Sequence, residues 1–228
     1  MRDDQRLLLG LDEAGRGSVL GPLVVGAFAV RGDPDTVRAR LRELGARDSK
    51  TLLPARRSEI LPVLRKQGRA ATARAEPSLI DRHVAEGGLN RLELTLMARL
   101  VLELRPSEVY VDACDPDAER FGRQLRDAVG EKGLSVEVVS RHKADRDDPI
   151  VGAASIVAKV TRDRAIERLR RAEGREIGSG YPSDEVTRGH LRELLRQKKL
   201  PPYVRRSWST VDTLMRERNI LPLESYER

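Results

Sequence analysis

Acidic residues directly follow two short apolar runs of the sequence. In the folded chain they could lie close together and share one site. Asp12 and Glu13 follow the first run, and Asp112 follows a run much later in the chain. A further acidic residue, Asp145, lies between a predicted strand and a long predicted helix. Ligand sites of open α/β sheets lie beyond the carboxyl ends of the strands, so these segments are expected to converge. Each residue alone could simply cap a turn or a helix, and the prediction therefore depends on the combination.

Four carboxylates in one place repel one another unless divalent cations neutralise them. The sequence has one cysteine and three scattered histidines, so any functional metal must be held by oxygen atoms, which favours Mg²⁺ or Mn²⁺. Two such ions, held ~3.5–4 Å apart, support in-line displacement at phosphorus. The acidic residues therefore predict a metal-dependent phosphodiester chemistry.

The adjacent pair Asp12 and Glu13 poses a geometric problem, because neighbouring side chains on a regular strand point to opposite faces. Both can enter one site only if the strand ends or kinks between them. Gly15 and Gly17 follow closely and make such a break plausible. We therefore expect the first strand to end or kink between Asp12 and Glu13.

The composition favours one substantial domain, or one domain with a small appendage. The chain has 228 residues, a formal net charge of +7, 39% hydrophobic residues and 35% charged residues. The basic balance points to a polyanionic partner such as a nucleic acid. The longest apolar stretch, Leu20–Val30, contains glycine and proline and is shorter than the ~18 residues of a membrane span, so we expect no membrane association. The N-terminus has no secretory pattern, and a cytoplasmic location is expected.

The hydrophobic pattern predicts three early strands, then strands that alternate with helices, and finally helices alone. Such an order indicates an α/β domain with a mixed sheet and a helical C-terminal extension. Small residues at Gly152–Ser155 would let one long helix lie close to another backbone. The predicted strands are 7–11, 23–30, 70–75 (at an edge), 109–111 and 136–139, and the predicted helices are 34–45, 58–67, 89–104, one ending near 129, 149–172 and a last, basic helix from 184 to 199.

Two motifs resemble nucleotide-binding loops only in part. The run Gly15–Leu20 has leucine in place of the third glycine of a dinucleotide fingerprint and precedes a strand. Asp48–Thr51 lacks the glycine-rich run of a P-loop. Neither segment therefore predicts a nucleotide cofactor.

An ordered set of motifs that spans most of the chain resembles the ribonuclease HII family. The Val204–Trp208 segment and the Gly-Ser-Gly-Tyr-Pro-Ser-Asp stretch are similar to the archaeal branch of that family. The motifs are Asp12–Gly17, Asp48–Lys50, Val111-Asp112, Lys143–Asp145, Ala153–Asp163 and Gly178–Asp184.

The resemblance implies an RNase H-like fold, in which helices flank a five-stranded mixed sheet and a helical C-terminal region helps to clamp the duplex. The catalytic domain would span residues 1–172 and the clamping region residues 173–228. The implied activity is an endonuclease that cleaves the RNA strand of RNA/DNA hybrids and nicks on the 5′ side of a ribonucleotide embedded in DNA, leaving 3′-hydroxyl and 5′-phosphate ends. Two divalent ions, Mg²⁺ or Mn²⁺, would be bound by Asp12, Glu13, Asp112 and Asp145.

The resemblance also implies which residues contact the nucleic acid. The ribonucleotide at its junction with DNA would be recognised by Gly15, Arg16, Gly17 and Tyr181, although Tyr181 could instead be a core aromatic residue. A phosphate-contacting loop would contain Ser49 and Lys50. The basic final helix would add phosphate contacts from Lys198 and Lys199.

Two rival functions remain at this point. Another nuclease of the same superfold, such as an exonuclease or a Holliday-junction resolvase, would share the carboxylates but would not need Gly-Arg-Gly. A non-catalytic nucleic-acid-binding module would use its acidic residues only as caps and turns. We expect a monomer. A sliding-clamp partner is doubtful, because the C-terminal residues Leu223–Arg228 lack the glutamine-led, aromatic-ended peptide by which some relatives bind a clamp.

Overall fold

A mixed five-stranded sheet forms the centre of the computed structural model, which describes residues 6–46, 52–198 and 200–219. The strand order is β3-β2-β1-β4-β5. β2 pairs antiparallel with β1 and β3, whereas β4 pairs parallel with β1 and β5. The predicted mixed sheet and the edge position of β3 are confirmed. The strands are β1 Leu7–Ala14, β2 Leu23–Arg31, β3 Arg69–Ala75, β4 Glu108–Asp112 and β5 Glu137–Arg141.

Helices cover both faces of the sheet and form the C-terminal part of the chain. The sequence did not predict α3, α6 or α9, and the prediction that the basic helix α8 is the last one is wrong. The helices are α1 Pro34–Glu43, α2 Pro54–Gln67, α3 Pro77–Ala85, α4 Leu89–Leu104, α5 Ala118–Gly130, α6 Ala144–Asp147, α7 Pro149–Glu173, α8 Glu185–Arg196 and α9 Ser209–Asn219.

The two faces of β1 belong to two different hydrophobic clusters. Leu9 and Leu11 pack in the cluster that contains α4 and α5, whereas Leu8 packs in the cluster that contains α1, α2 and α7. This division follows from the two-residue period of a strand. A strand covered on both faces needs a nearly continuous apolar run, as the sequence of β1 has.

Helix α7 lies unusually close to the sheet. A Cβ atom on Gly26 would lie 2.4 Å from the carbonyl oxygen of Ala154, and one on Gly10 would lie 2.1 Å from that of Ile150. Only glycine permits this approach, and the small residues predicted for α7 allow it from the helix side. The close contact brings the next turn of α7 against the end of β1, where the acidic residues begin.

A third hydrophobic cluster connects the C-terminal helices to the rest of the chain. Leu191 and Leu214 pack with Val19, Leu20 and Ile166, which precede the C-terminal region. The division into residues 1–172 and 173–228 stays a prediction. In the described part of the chain, no helix is both long enough and apolar enough to cross a membrane.

Candidate active site

The carboxylates lie where β1 and β4 stop pairing. The parallel pairing ends at Leu11 and Val111, and the next residue on each strand is Asp12 or Asp112. β1 nevertheless stays paired with β2 as far as Ala14. The predicted break between Asp12 and Glu13 is therefore wrong, because β2 keeps the strand regular beyond the point where β4 departs.

An unbroken strand still brings both acidic side chains to one site, because each reaches the end of the β1–β4 pair from a different face. Asp12 points toward α7, where the Ser155 side chain hydrogen bonds to it. Glu13 lies on the same face of β1 as Leu11 and interacts electrostatically with Asp112 and Arg16. Because β1 is no longer paired with β4 beyond Leu11, both side chains reach the site without the expected kink.

Asp145 reaches the site through the short helix α6. The Ala144 backbone N–H donates to Asp112 Oδ1 at 3.0 Å, which connects α6 to the end of β4. The Asp145 side chain is buried, and its Oδ2 lies 3.9 Å from Lys159 Nζ on α7. Asp12 is electrostatically repelled by Glu13, Asp112 and Asp145, so the structure brings all four predicted residues together.

Burial and mutual repulsion favour the protonated forms of two of these groups. Burial raises the pKa of Asp12 well above its usual value, and the charge of Glu13 adds to the effect, while the Ser155 hydrogen bond opposes it. Burial also raises the pKa of Glu13 to about 7, with a further contribution from Asp112 and opposition from Arg16. A bound cation would reverse both effects, since it stabilises the charged carboxylates.

The donor set fits a hard divalent cation. All four candidate ligands supply carboxylate oxygens, and Glu13 Oε2 is buried with no hydrogen-bond partner in the part of the chain that the structure describes. Within residues 6–46, 52–198 and 200–219, however, no three acidic, histidine or cysteine side chains are already arranged as a metal-binding group.

The Gly-Arg-Gly segment forms a turn directly after β1. Gly15 has a φ of +82°, and a Cβ there would lie 2.9 Å from the Pro22 carbonyl oxygen. Gly17 is exposed, and a Cβ there would meet nothing within 4 Å. The turn thus needs glycine at position 15 for its own geometry, whereas position 17 presents open backbone to solvent.

Tyr181 lies beside this turn. The Gly180 carbonyl oxygen accepts hydrogen bonds from Val19 N at 2.8 Å and Leu20 N at 3.1 Å, which join the two loops. The Arg162 guanidinium stacks 4.5 Å from the Tyr181 ring centroid, and the tyrosine remains partly exposed. The alternative that Tyr181 is a core aromatic residue is wrong, because the ring stays partly exposed and packs on the guanidinium of the buried Arg162.

The structure describes one of the four residues predicted to contact phosphate. Lys198 is exposed just after α8, in a left-handed conformation with a φ of 53°. The other three predictions, Ser49, Lys50 and Lys199, fall outside the described residues.

The family is decided by comparison with known proteins. A family model described as ribonuclease HII matches residues 9–211. The chain belongs to the ribonuclease HII family. It is therefore a hydrolase of the RNase H type, an endonuclease that acts on RNA/DNA hybrids. This result confirms the family and the RNase H-like fold inferred from the sequence.

Archaeal ribonucleases HII are close relatives over nearly the whole chain. The protein from Archaeoglobus fulgidus is 42% identical over 205 residues, which cover 90% of this chain and 95% of that protein. The protein from Thermococcus kodakarensis is 44% identical over 211 residues, covering 90% of this chain and 87% of that protein.

Solved ribonuclease structures have the same fold. Ribonuclease H2 from Pyrococcus horikoshii has a TM-score of 0.83 at 36% identity and covers 94% of this chain and 100% of that chain. The Archaeoglobus fulgidus enzyme in a PCNA:RNase HII complex has a TM-score of 0.83 at 40% identity and covers 96% of this chain and 99% of that chain. That relative was thus solved in complex with PCNA. The prediction about a sliding clamp rests on residues 223–228 of this chain, which lie outside the described residues.

Several residues that support the site of this ribonuclease HII were not predicted from the sequence. Ser155 contacts Asp12, and Lys159 follows it by one turn of α7. Arg162, also on α7, donates to the Ser179 carbonyl oxygen at 2.5 Å. Buried Arg205 donates to the carbonyl oxygens of Gly21 at 3.0 Å and Arg16 at 2.9 Å. Three of them lie in the Ala153–Asp163 motif and Arg205 in the Val204–Trp208 segment, so the motifs marked them without giving their roles.

Proposed function

We propose that this ribonuclease HII nicks duplex DNA on the 5′ side of an embedded ribonucleotide, and cleaves the RNA strand of hybrids, by metal-dependent hydrolysis. The products would carry 3′-hydroxyl and 5′-phosphate ends. The observation that carries this proposal is the position of four carboxylates at the open end of the β1–β4 pair, directly before the exposed backbone of Gly17. The proposed metal ligands and the proposed ribose contacts would thus be adjacent, on one strand and the turn that follows it.

The proposed metal ligands are Asp12, Glu13, Asp112 and Asp145, with two Mg²⁺ or Mn²⁺ ions as the cofactors. When bound, such ions supply an activated water and stabilise the leaving oxygen of the phosphodiester. The residues of the chain orient this arrangement. Asp112 is held by the Ala144 N–H and Asp12 by the Ser155 side chain, which fixes one carboxylate on each strand.

Selection of RNA would depend on backbone and ring contacts to the ribose. The 2′-hydroxyl is the group that distinguishes RNA from DNA, and it both donates and accepts hydrogen bonds. Gly17 leaves space for its close approach, and the partly exposed Tyr181 ring lies on the adjoining loop. We propose Gly15 as the residue that shapes the turn, and Ser49, Lys50, Lys198 and Lys199 as phosphate contacts.

The proposed setting is a monomer in the cytoplasm, acting on ribonucleotide-containing DNA and on hybrids. Neutral surfaces would bind such polyanions poorly, and the net charge of +7 supports salt-dependent association with the phosphate backbone.

A cleavage assay on three labelled duplexes tests the proposal. One duplex contains a single ribonucleotide, the second is a continuous hybrid, and an all-DNA duplex of the same sequence is the control. We expect internal nicks in the first two substrates with Mg²⁺ or Mn²⁺, 5′-phosphate ends, and no cleavage in EDTA. A 2′,3′-cyclic phosphate, or full activity in EDTA, would exclude the hydrolytic mechanism, and degradation from the ends would favour the exonuclease alternative.

A further inference from the structure

Helix α4 buries a carboxylate on its apolar face. Glu93 is fully buried, and its Oε2 accepts a hydrogen bond from the Arg16 guanidinium. The other oxygen, Oε1, is also buried and has no hydrogen-bond partner among the described residues. The charge of Glu93 is therefore compensated through Arg16, the central residue of the Gly-Arg-Gly turn.

A second residue of α4 holds the same guanidinium. Asn90, one turn before Glu93, accepts from Arg16 Nη2 through its Oδ1 at 2.6 Å. Its amide Nδ2 donates to Asp115 Oδ2 at 2.9 Å, and Asp115 Oδ1 accepts from Arg120 Nη2 at 2.5 Å. Because Asp115 lies three residues after Asp112, this network joins the turn to the segment that leaves the acidic site.

The backbone of the turn is held from the opposite side. Arg205 donates to the Arg16 carbonyl oxygen at 2.9 Å, and Trp208 Nε1 donates to that of Gly17 at 3.3 Å. Both ends of Arg16, its guanidinium and its carbonyl, are thus occupied by the protein. Gly17 is nevertheless exposed, and the space beside its Cα is open, since a Cβ there would meet nothing within 4 Å.

We propose that Glu93 and Asn90 are positioning residues, which use the Arg16 side chain as an anchor so that the backbone of the turn, rather than the Arg16 guanidinium, meets the ribonucleotide. The inference rests on the proposed function, because it assumes that the turn recognises the ribose. It changes the role of Arg16 from the substrate contact expected from the sequence to an internal support.

The energetics of buried charge pairs give a sharp test. The Glu93 side chain is fully buried whereas that of Arg16 is 31% exposed, so Arg16→Met leaves an uncompensated buried charge and should be strongly destabilising. Replacing both partners with apolar residues of similar volume is often tolerated. We therefore compare Arg16→Met, Glu93→Met and the double variant Arg16→Met/Glu93→Met. Asn90→Ala is a milder change that removes the bridge and leaves the ion pair intact.

A matched control lies on the same helix. Glu103 is 45% exposed and pairs with Arg69 at the surface, so Glu103→Gln removes a glutamate of α4 without touching the turn. For every variant we measure the melting temperature, kcat and KM on the single-ribonucleotide duplex and on the continuous hybrid, and binding at several salt concentrations.

We expect Glu93→Met to lower kcat on the single-ribonucleotide duplex by on the order of 100-fold, since a displacement of about 1 Å can have that effect. KM and the salt dependence of binding should stay near those of the wild type. The continuous hybrid, which offers neighbouring riboses, should lose less. Asn90→Ala should change kcat in the same direction with a smaller loss of melting temperature.

The double variant decides between an anchor and a phosphate contact. For an anchor, it recovers activity above either single variant, and its salt dependence equals that of the wild type. If Arg16 contacts a phosphate, Arg16→Met and the double variant both flatten the log–log salt dependence by about one unit, and the double variant recovers nothing. Equal losses on both substrates with lowered melting temperatures would also overturn the proposal. A wild-type enzyme that does not cut the single-ribonucleotide duplex would instead refute the proposed function.

Discussion

Replacing Glu13 with Gln should stabilise the protein in the absence of divalent cations. Glu13 lies in a partly buried site beside Asp112, and burial raises its pKa from 4.5 to about 7. A neutral amide of the same shape resembles the protonated carboxyl and removes the repulsion. The same change should remove a metal ligand, so its effects on stability and on activity are expected to have opposite signs.

The size and the pH range of this effect follow from the pKa. The folded state holds its proton to higher pH than the unfolded chain, so the carboxylate costs no stability below about 4.5 and its full cost is present above about 7. The difference corresponds to about 3 kcal/mol, at about 1.4 kcal/mol per pH unit. Solvent screening of the partly exposed side chain lowers the expected gain to about 1–2 kcal/mol.

Urea unfolding in EDTA at pH 5 and pH 8 measures the difference. Glu13→Gln should raise the free energy of unfolding at pH 8 and have a much smaller effect at pH 5. Glu119→Gln, at a glutamate side chain that is 88% exposed, is the control and should change stability by less than about 0.5 kcal/mol. Saturating Mg²⁺ should stabilise the wild type more than the Glu13 variant. A gain of equal size at both pH values, or no gain at pH 8, would refute the electrostatic argument.

Three further predictions separate catalysis, recognition and general binding. Asp112→Asn should lower kcat by more than ~100-fold, because loss of a mere outer-shell partner of a metal already costs roughly 10–100-fold, while hybrid binding in a filter assay stays nearly intact. Gly15→Ala should lower the free energy of unfolding by about 1–3 kcal/mol because its φ is +82°, whereas Gly17→Ala should preserve stability and reduce kcat/KM on the single-ribonucleotide duplex. Tyr181→Ala should slow cleavage of that duplex more than cleavage of hybrids, and an equal loss of rate on both substrates would contradict its assigned role. Lys198→Gln should weaken binding of both substrates equally and flatten the log–log salt dependence by roughly one unit.

The main elements could be predicted from the sequence because their hydrophobic patterns are local and strong. The central strands are apolar on both faces, and α4 carries a long apolar stripe. Helix α3 has nine residues, with only Pro77 and Ile80 buried, and α9 buries only two apolar side chains, Val211 and Leu214. Short helices with so few buried residues owe their stability to tertiary packing, which sequence periodicity does not reveal.

The convergence of the acidic residues was predictable for a topological reason, and the support of the turn was not. Parallel strands such as β1 and β4 bring their carboxyl ends to the same edge, so residues distant in sequence meet there. Glu93 lies four residues before Met97 on the apolar stripe, and its burial follows from that spacing. The identity of its partner does not follow from the sequence, because Arg16 is 77 residues away and only the packing of α4 against the turn brings the two residues together.

The arrangement separates the elements that carry the proposed metal ligands from those that hold the turn proposed to recognise the ribose. The carboxylates lie on β1, β4 and α6, which pack against the centre of the sheet and α7. The Gly-Arg-Gly turn is held by Glu93 from α4 and Arg205 from the C-terminal region, while Arg162 from α7 supports the adjoining Tyr181 loop. Helix α4 and the C-terminal region do not hold the carboxylates directly, whereas α7 also contacts them through Ser155 and Lys159. Substitutions at Glu93 or Arg205 should therefore alter the choice between ribose and deoxyribose before they alter ion binding. We therefore expect a C-terminal residue such as Arg205 to contribute to substrate selection through the backbone that it holds.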